Sequence, residues 1–284
     1  MNKLTINSKT ILSNGIKIPV IGLGVYKSQV GDEVENAVTW ALEAGYRLID
    51  TAKIYGNEEG VGKAITEFRL PREELVITTK LWNEDQGYTT TLQAVDASLQ
   101  QLGLEYIDLY LIHWPSASAD RTESINKRKE TWNAMEEIYT SGKAKAIGVS
   151  NYTIQHLEEM KNYAKILPHV NQVEFHPFLY QEELLNYCTE NSIALEAYSP
   201  LVKGKRLEDE RITVIAKKYN KSNAQVLIRW SLQHGCICIP KSVHQERINQ
   251  NIDIFDFELA VEDMKKLDAL NENEHQAWNP TSIS

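Results

Sequence analysis

Eight short apolar runs, each followed by a stretch of helical periodicity, constrain this chain more than any other feature. They cover residues 20–24, 46–49, 75–79, 107–112, 146–149, 170–174, 193–198 and 236–239. Their apolar residues run together rather than alternating, the pattern of strands covered on both faces. Covered strands separated by helices form a parallel sheet. Eight such units predict an α/β fold closed into a (β/α)8 TIM barrel.

An open, doubly wound sheet is the competing architecture. It usually carries Gly-x-Gly-x-x-Gly after its first strand, whereas Gly22-Leu23-Gly24-Val25-Tyr26-Lys27 lacks the third glycine. No Pro/Gly/Ser-rich linker or low-complexity tract divides the chain, so residues 1–284 read as a single barrel domain. Ahead of the first run, Asn14-Gly15 sits between residues 9–12 and 16–20. Asn-Gly supplies the positive φ angles of a tight turn, which predicts an N-terminal β-hairpin closing the barrel's bottom.

The intervening helices carry start and stop signals. Asp32 stands three residues before Glu35 as a capping box, and Gly45 ends that segment. Val34, Ala37, Val38, Ala41 and Leu42 share its apolar face. Leu92, Val95, Leu99 and Leu102 form a second face ended by Gly103, and residues 224–232 form a third helix before Gly235.

The formal net charge is −9. Nucleic-acid binding needs a cationic stripe, so this acidity argues against it. No apolar run is long enough to span a bilayer, and the first seven residues lack the apolar segment of a secretory signal. Cys188, Cys236 and Cys238 have neither metal-ligand spacing nor a disulfide framework, which suits a reducing cytoplasm. No metal is implied by the scattered histidines. A monomer is expected.

In such barrels chemistry sits at the C-terminal rim, where side chains from different strands converge. There the second run delivers Asp50, followed by Thr51-Ala52-Lys53-Ile54-Tyr55. The third delivers Lys80, the fourth His113, and the fifth Ser150-Asn151. Gln172 lies in the sixth, Tyr198-Ser199 end the seventh, and the eighth runs into Lys241-Ser242. An ammonium at the barrel mouth needs a carboxylate partner, and Asp50 on the adjacent strand can supply it. Singly, each residue has a bland reading: Asp50 a loop cap, Lys80 a surface charge, His113 a core imidazole, Tyr55 a packing aromatic. Their convergence on neighbouring strand ends favours function.

Asp50-Thr51-Ala52 with Tyr55, Lys80-Leu81-Trp82 and Leu111-Ile112-His113-Trp114-Pro115 form one half of a larger pattern. Gly148-Val149-Ser150-Asn151, Asn171-Gln172-Val173-Glu174 and Ile239-Pro240-Lys241-Ser242 form the other. Together, over nearly the whole chain, they resemble the aldo-keto reductases. The likeness is nearest to the short-tailed microbial branch of glyoxal and methylglyoxal reductases, 2,5-diketo-gluconate reductases and prostaglandin F synthase-like enzymes.

The resemblance implies NADPH-dependent reduction of aldehydes and ketones to alcohols. Small dicarbonyls such as glyoxal and methylglyoxal, aromatic aldehydes, keto-sugars and prostaglandin H2 are the candidate substrates. Hydride transfer builds charge on the carbonyl oxygen, which then needs a proton and a stabilising donor. Tyr55 is implied as the acid, Lys80 as the cation beside it, Asp50 as the anchor of Lys80, and His113 as the donor orienting the carbonyl. A neighbouring cation favours a phenolate, so Lys80 is expected to lower the pKa of Tyr55. The alternative is a non-catalytic NADPH-binding regulatory subunit on the same fold. An unrelated lyase or hydrolase barrel would instead want a Schiff-base lysine or paired carboxylates.

For the cofactor, NADPH/NADP+, the resemblance implies that Ser150, Asn151 and Gln172 hold the carboxamide. Tyr198 is implied to stack on the nicotinamide, although it serves equally as a packing aromatic. The segments starting at Ser199 and Lys241 contain Lys203, Lys205, Arg206, Lys241 and Arg247, five cations in an acidic chain. Loops after strands seven and eight commonly build a barrel's phosphate site. Lys241, Ser242, Val243 and Arg247 match positions around the 2′-phosphate, Gln250 and Asn251 match adenine positions, and Ser199 and Leu201 complete the expected cofactor contacts. Lys203, Lys205 and Arg206 either reach the pyrophosphate or form a solvated basic loop.

Tyr26, Trp82 and Trp114 are expected to wall the carbonyl site. Many family members have Trp where this chain has Tyr26. The tail, residues 274–284, lacks the Arg-x-Gly-Pro pattern common in the microbial branch, and Trp278 either folds over the pocket or frays. Residues 116–129 are expected to form a long polar loop beside the pocket.

Overall fold

The computed structural model describes residues 3–115 and 120–283. Strands β1 (Lys9–Ile11) and β2 (Lys17–Pro19) pair antiparallel, with Thr10 opposite Ile18. Gly15 takes a φ of 85°, the left-handed value the turn requires, and Leu12 N–H donates to the Ile16 carbonyl at 2.8 Å.

Alternating strands and helices follow. In chain order they are β3 (Leu23–Gly24), α1 (Asp32–Glu43), β4 (Leu48–Asp50), α2 (Glu58–Phe68), β5 (Val76–Leu81) and α3 (Tyr88–Leu102). Next come β6 (Ile107–Ile112), α4 (Arg121–Thr140), β7 (Ala144–Ser150), α5 (Ile154–Met160), β8 (Val170–Glu174) and α6 (Glu182–Glu190). The chain continues through β9 (Ala194–Tyr198), α7 (Glu210–Tyr219), α8 (Asn223–Gln233), β10 (Ile237–Ile239), α9 (Gln245–Ile252) and α10 (Val261–Asp268). Strands β3 to β10 pair in sequence order and every pairing is parallel. Parallel bridges Ile21–Cys238 and Gly24–Lys241 join the first strand to the last, so the barrel is closed.

Alternation along the strands places the site. Leu48, Val76, Leu109, Leu111, Ala146, Val170, Ile237 and Ile239 point inward and pack with Leu12 and Ile18 of the hairpin. This apolar layer fills the lower barrel, and the hairpin plugs it. Above it, polar residues take inward positions: Asp50 two residues after Leu48, Gln172 two after Val170, and Lys80 four after Val76. The outward residues Ile49, Ile77, Tyr110, Ile147 and Val173 pack in the larger core beneath the helices. Both faces are therefore buried, which is why the runs looked continuous in sequence. At Gly148 an added Cβ would lie 2.5 Å from the Val170 carbonyl, so only glycine lets β7 sit this close to β8.

Two expectations are corrected. Asp32 is not a capping residue: α1 starts there, its N-cap is Gly31, and no side chain caps it. Glu33 instead accepts from Gln29 N–H at 2.7 Å. The expected polar loop is mostly helix, since α4 begins at Arg121, with Asp120 accepting from Glu123 N–H at 2.8 Å. Residues 116–119 lie outside the described residues. Among the described residues, no helix is long and apolar enough to cross a membrane.

Candidate active site

The Lys80 ammonium is fully buried at the end of β5. It donates to both Asp50 carboxylate oxygens at 2.7 Å, to the Thr51 carbonyl at 2.9 Å and to the Tyr55 hydroxyl at 3.4 Å. Asp50 ends β4, and Tyr55 closes a short 3-10 turn, residues 53–55, directly after it. Strand pairing of β4 with β5 places the carboxylate beside the amine, and the turn brings the phenol back over the pair.

The electrostatics depart from the sequence expectation. Burial pushes the Tyr55 hydroxyl well above its ordinary value, and the charge of Asp50 pushes it further up. Burial and the Asp50 charge outweigh any lowering by Lys80, whose shortest contacts go to Asp50. Burial also drives His113 well below the ordinary imidazole range, with the Lys80 charge adding to the effect, so the ring is neutral. His113 meets Tyr55 edge-on at a ring separation of 5.7 Å and Trp82 at 5.3 Å.

All three residues expected at the carboxamide are hydrogen-bonded. Ser150 Oγ donates to the Gln172 carbonyl at 2.8 Å. The Asn151 amide donates to the His113 carbonyl at 2.9 Å and to Ser150 Oγ at 3.1 Å, and its oxygen accepts from the Tyr198 hydroxyl at 2.8 Å. Gln172 is different. Its amide nitrogen donates to Asp50 at 2.8 Å and to Glu196 at 3.0 Å, which turns its oxygen away from both carboxyls and leaves it free to accept.

The expected phosphate-binding cations divide. Lys241, Ser242 and Val243 lie between β10 and α9, while Arg247, Gln250 and Asn251 lie on α9. Lys241 and Arg247 form no ion pair among the described residues, and Arg247 is exposed. Lys203 instead donates to the Gln276 carbonyl at 2.5 Å. Arg206 pairs with Glu272 at 2.6 Å and donates through Nε to Glu274 at 2.9 Å. These two cations are engaged by the C-terminal segment. Lys205 is exposed in the same stretch, and Ser199 and Leu201 sit between β9 and it.

Residues 20–272 match the family model described as the aldo/keto reductase family. The chain belongs to the aldo/keto reductase family. It is an oxidoreductase, and the family uses NADP(H). The glyoxal reductase of Bacillus subtilis is 54% identical over 272 residues, covering 96% of each chain. The 9,11-endoperoxide prostaglandin H2 reductase of Trypanosoma cruzi is 49% identical, covering 96% of this chain and 94% of its own. A Bombyx mori aldo-keto reductase solved in complex with NADP superposes with a TM-score of 0.88 at 38% identity, covering 96% of this chain and 95% of its own.

The aromatic residues expected to wall the carbonyl site gather around Tyr55, His113 and the tail. Tyr26 lies 5.0 Å from Tyr55, ring to ring. Trp278 of the tail lies 5.3 Å from Trp114 and 6.4 Å from Trp82. The tail therefore folds over the pocket instead of fraying. Glu174, at the end of β8, accepts from Gln276 N–H at 2.9 Å and Ala277 N–H at 3.0 Å. His156 Nε2 lies 3.1 Å from the Ile283 carbonyl. Burial raises the Glu174 carboxyl, but hydrogen bonds from His176 and the tail outweigh it and hold the group below the ordinary range.

Glu174 and Glu196 are the residues that sequence reasoning left without a role. The signal for the two carboxylates was present. Each is a charged residue inside an apolar run at an inward-pointing position, the same position type that delivers Asp50 and Lys80.

Proposed function

We propose that this reductase uses NADPH to reduce small aldehydes and dicarbonyls, glyoxal and methylglyoxal foremost, with Tyr55 as the general acid. The observation that carries the reading is the buried Lys80 ammonium, fixed on both oxygens of Asp50 and 3.4 Å from the Tyr55 hydroxyl. The substrate class follows from the likeness to a glyoxal reductase and from a pocket narrowed by Tyr26, Trp82, Trp114 and Trp278.

Reduced nicotinamide supplies a hydride to the carbonyl carbon when bound. The protein's own residues manage the oxygen. His113, neutral, offers one ring N–H to orient the carbonyl. Tyr55 stays protonated throughout the neutral range because burial and Asp50 raise its hydroxyl. Transfer to a nascent alkoxide remains downhill, since an alkoxide is a stronger base than a phenolate. Lys80, 3.4 Å away, stabilises the phenolate left behind, which is why its position matters more than the resting acidity of Tyr55. Aromatic walls exclude water from the reacting centre. Gln172 presents its amide oxygen to the carboxamide, and Lys241, Ser242 and Arg247 receive the 2′-phosphate, arginine through a bidentate grip.

Loss of NADPH absorbance on adding methylglyoxal tests the activity, and Tyr55→Phe tests the acid. The variant should lose at least about a hundredfold in kcat while binding NADPH nearly as before. Turnover near the wild-type value with saturating aldehyde would overturn the assignment.

A further inference from the structure

Glu196 is a carboxyl inside the barrel to which the chemistry above gives no task. It points inward from β9, in register with Gln172 on β8 and Ile237 on β10, and is wholly buried. One oxygen accepts from the Gln172 amide at 3.0 Å, and the other has no partner among the described residues. Asp50 from β4, Lys80 from β5, Gln172 from β8, Tyr55 from the turn after β4 and Cys238 from β10 surround it. Lys80 is the one cation in this group. Asp50 takes both of its short contacts, so Asp50 holds the negative charge. A second, unpaired carboxylate in this interior is disfavoured, and the proton stays on Glu196.

We propose that Glu196 is a proton-holding positioning residue: it fixes the Gln172 amide with its oxygen toward the nicotinamide carboxamide, and it gives up its proton to solvent when the oxidised cofactor binds. The oxidised ring carries one positive charge and the reduced ring none. With the reduced form, Glu196 remains a carboxylic acid. With the oxidised form its O–H bond breaks, the proton leaves for bulk water and the carboxylate balances the ring. The Gln172 side chain stands between the two, donating to both carboxyls from one nitrogen. Two flanking acceptors hold the nitrogen on their side, so the amide cannot flip without breaking both bonds. The inference rests on Gln172 meeting the carboxamide.

Burial, reinforced by the Asp50 charge, pushes the Glu196 carboxyl up to about 8. Of the other groups facing it, Tyr55 and Cys238 are raised by burial; burial raises Asp50 too, and the Lys80 ammonium at 2.7 Å opposes that and keeps the negative charge on Asp50 rather than on Glu196. A cation binding nearby lowers the carboxyl, so the complex holds fewer protons than the free protein. Affinity for the oxidised cofactor must then rise with pH and level off above the free-state value.

The test is the dissociation constants of NADP+ and NADPH across the neutral and mildly alkaline range. Their ratio cancels titration of the shared phosphates. In the wild type, NADP+ should tighten about tenfold relative to NADPH as pH climbs to about 8, then stay flat. Glu196→Gln keeps the shape and cannot ionise, so its ratio should stay at the wild type's acid-side value. Calorimetry of the wild type in buffers of different ionisation enthalpy asks the same question without a variant. NADP+ should release a fraction of a proton more than NADPH near neutrality. Equal proton release, or a pH-dependent ratio that survives Glu196→Gln, would overturn the proposal. Unchanged affinity for both forms in Gln172→Ala would overturn the carboxamide reading, and this inference with it.

Discussion

Removing the Lys80 ammonium should damage stability and catalysis by separable routes. Side-chain exposure is 0% for Lys80 and 4% for Asp50, so solvent screens the pair very little. Lys80→Met would leave the Asp50 carboxylate buried with the Gln172 amide as its remaining side-chain donor. Breaking a buried pair from one side costs about 3–5 kcal/mol. For a chain of this length, each kcal/mol moves the thermal midpoint by roughly 2 °C, so a drop of about 6–10 °C is expected. Lys80→Met combined with Asp50→Asn removes the orphaned charge and should regain at least half of that loss. It should not regain turnover. The amine is gone in both variants, and kcat should stay down by at least about a hundredfold. Midpoints from calorimetry and initial rates of NADPH oxidation are the measurements. A double variant no more stable than Lys80→Met would refute the buried-charge argument, and a double variant that regains activity would refute the role of Lys80 beside Tyr55.

Arg247→Ala should weaken NADPH binding about tenfold or more and leave NADH nearly unchanged, because only the former carries the 2′-phosphate that an unpaired guanidinium can grip. Equal losses in fluorescence titrations with the two cofactors would contradict that assignment. Trp278→Ala should raise the KM for methylglyoxal by about fivefold with kcat little altered, since an aromatic contact contributes about 1 kcal/mol. Arg206→Ala should act in the same direction and more weakly, because its pairs with Glu272 and Glu274 are partly exposed. Unchanged KM in both variants would show that the tail does not shape the carbonyl site.

Much of the site was legible before the fold was built. Asp50, Lys80, His113 and Gln172 each end or interrupt an apolar run, and a charged or polar residue there has few places to go except the barrel mouth. Less legible were residues whose partners lie far along the chain. Lys203 and Arg206 read as either pyrophosphate ligands or a solvated basic loop, yet their partners here are a tail carbonyl for Lys203 and Glu272 and Glu274 for Arg206, about seventy residues later. The raised hydroxyl of Tyr55 is not legible either, because its causes, burial first and then the Asp50 charge, exist only in the folded barrel.

The chain's periodicity determined the strands, their order and the barrel, since local spacing alone specifies which residues can be covered on both faces. Spacing also set which rim positions are polar. Tertiary structure alone decided how charge is distributed among them: one buried ammonium holds Asp50 directly, while the Gln172 amide links Asp50 to Glu196. Protonation in a dry interior depends on distances between strands that no single segment contains, which is why it had to wait for the folded barrel.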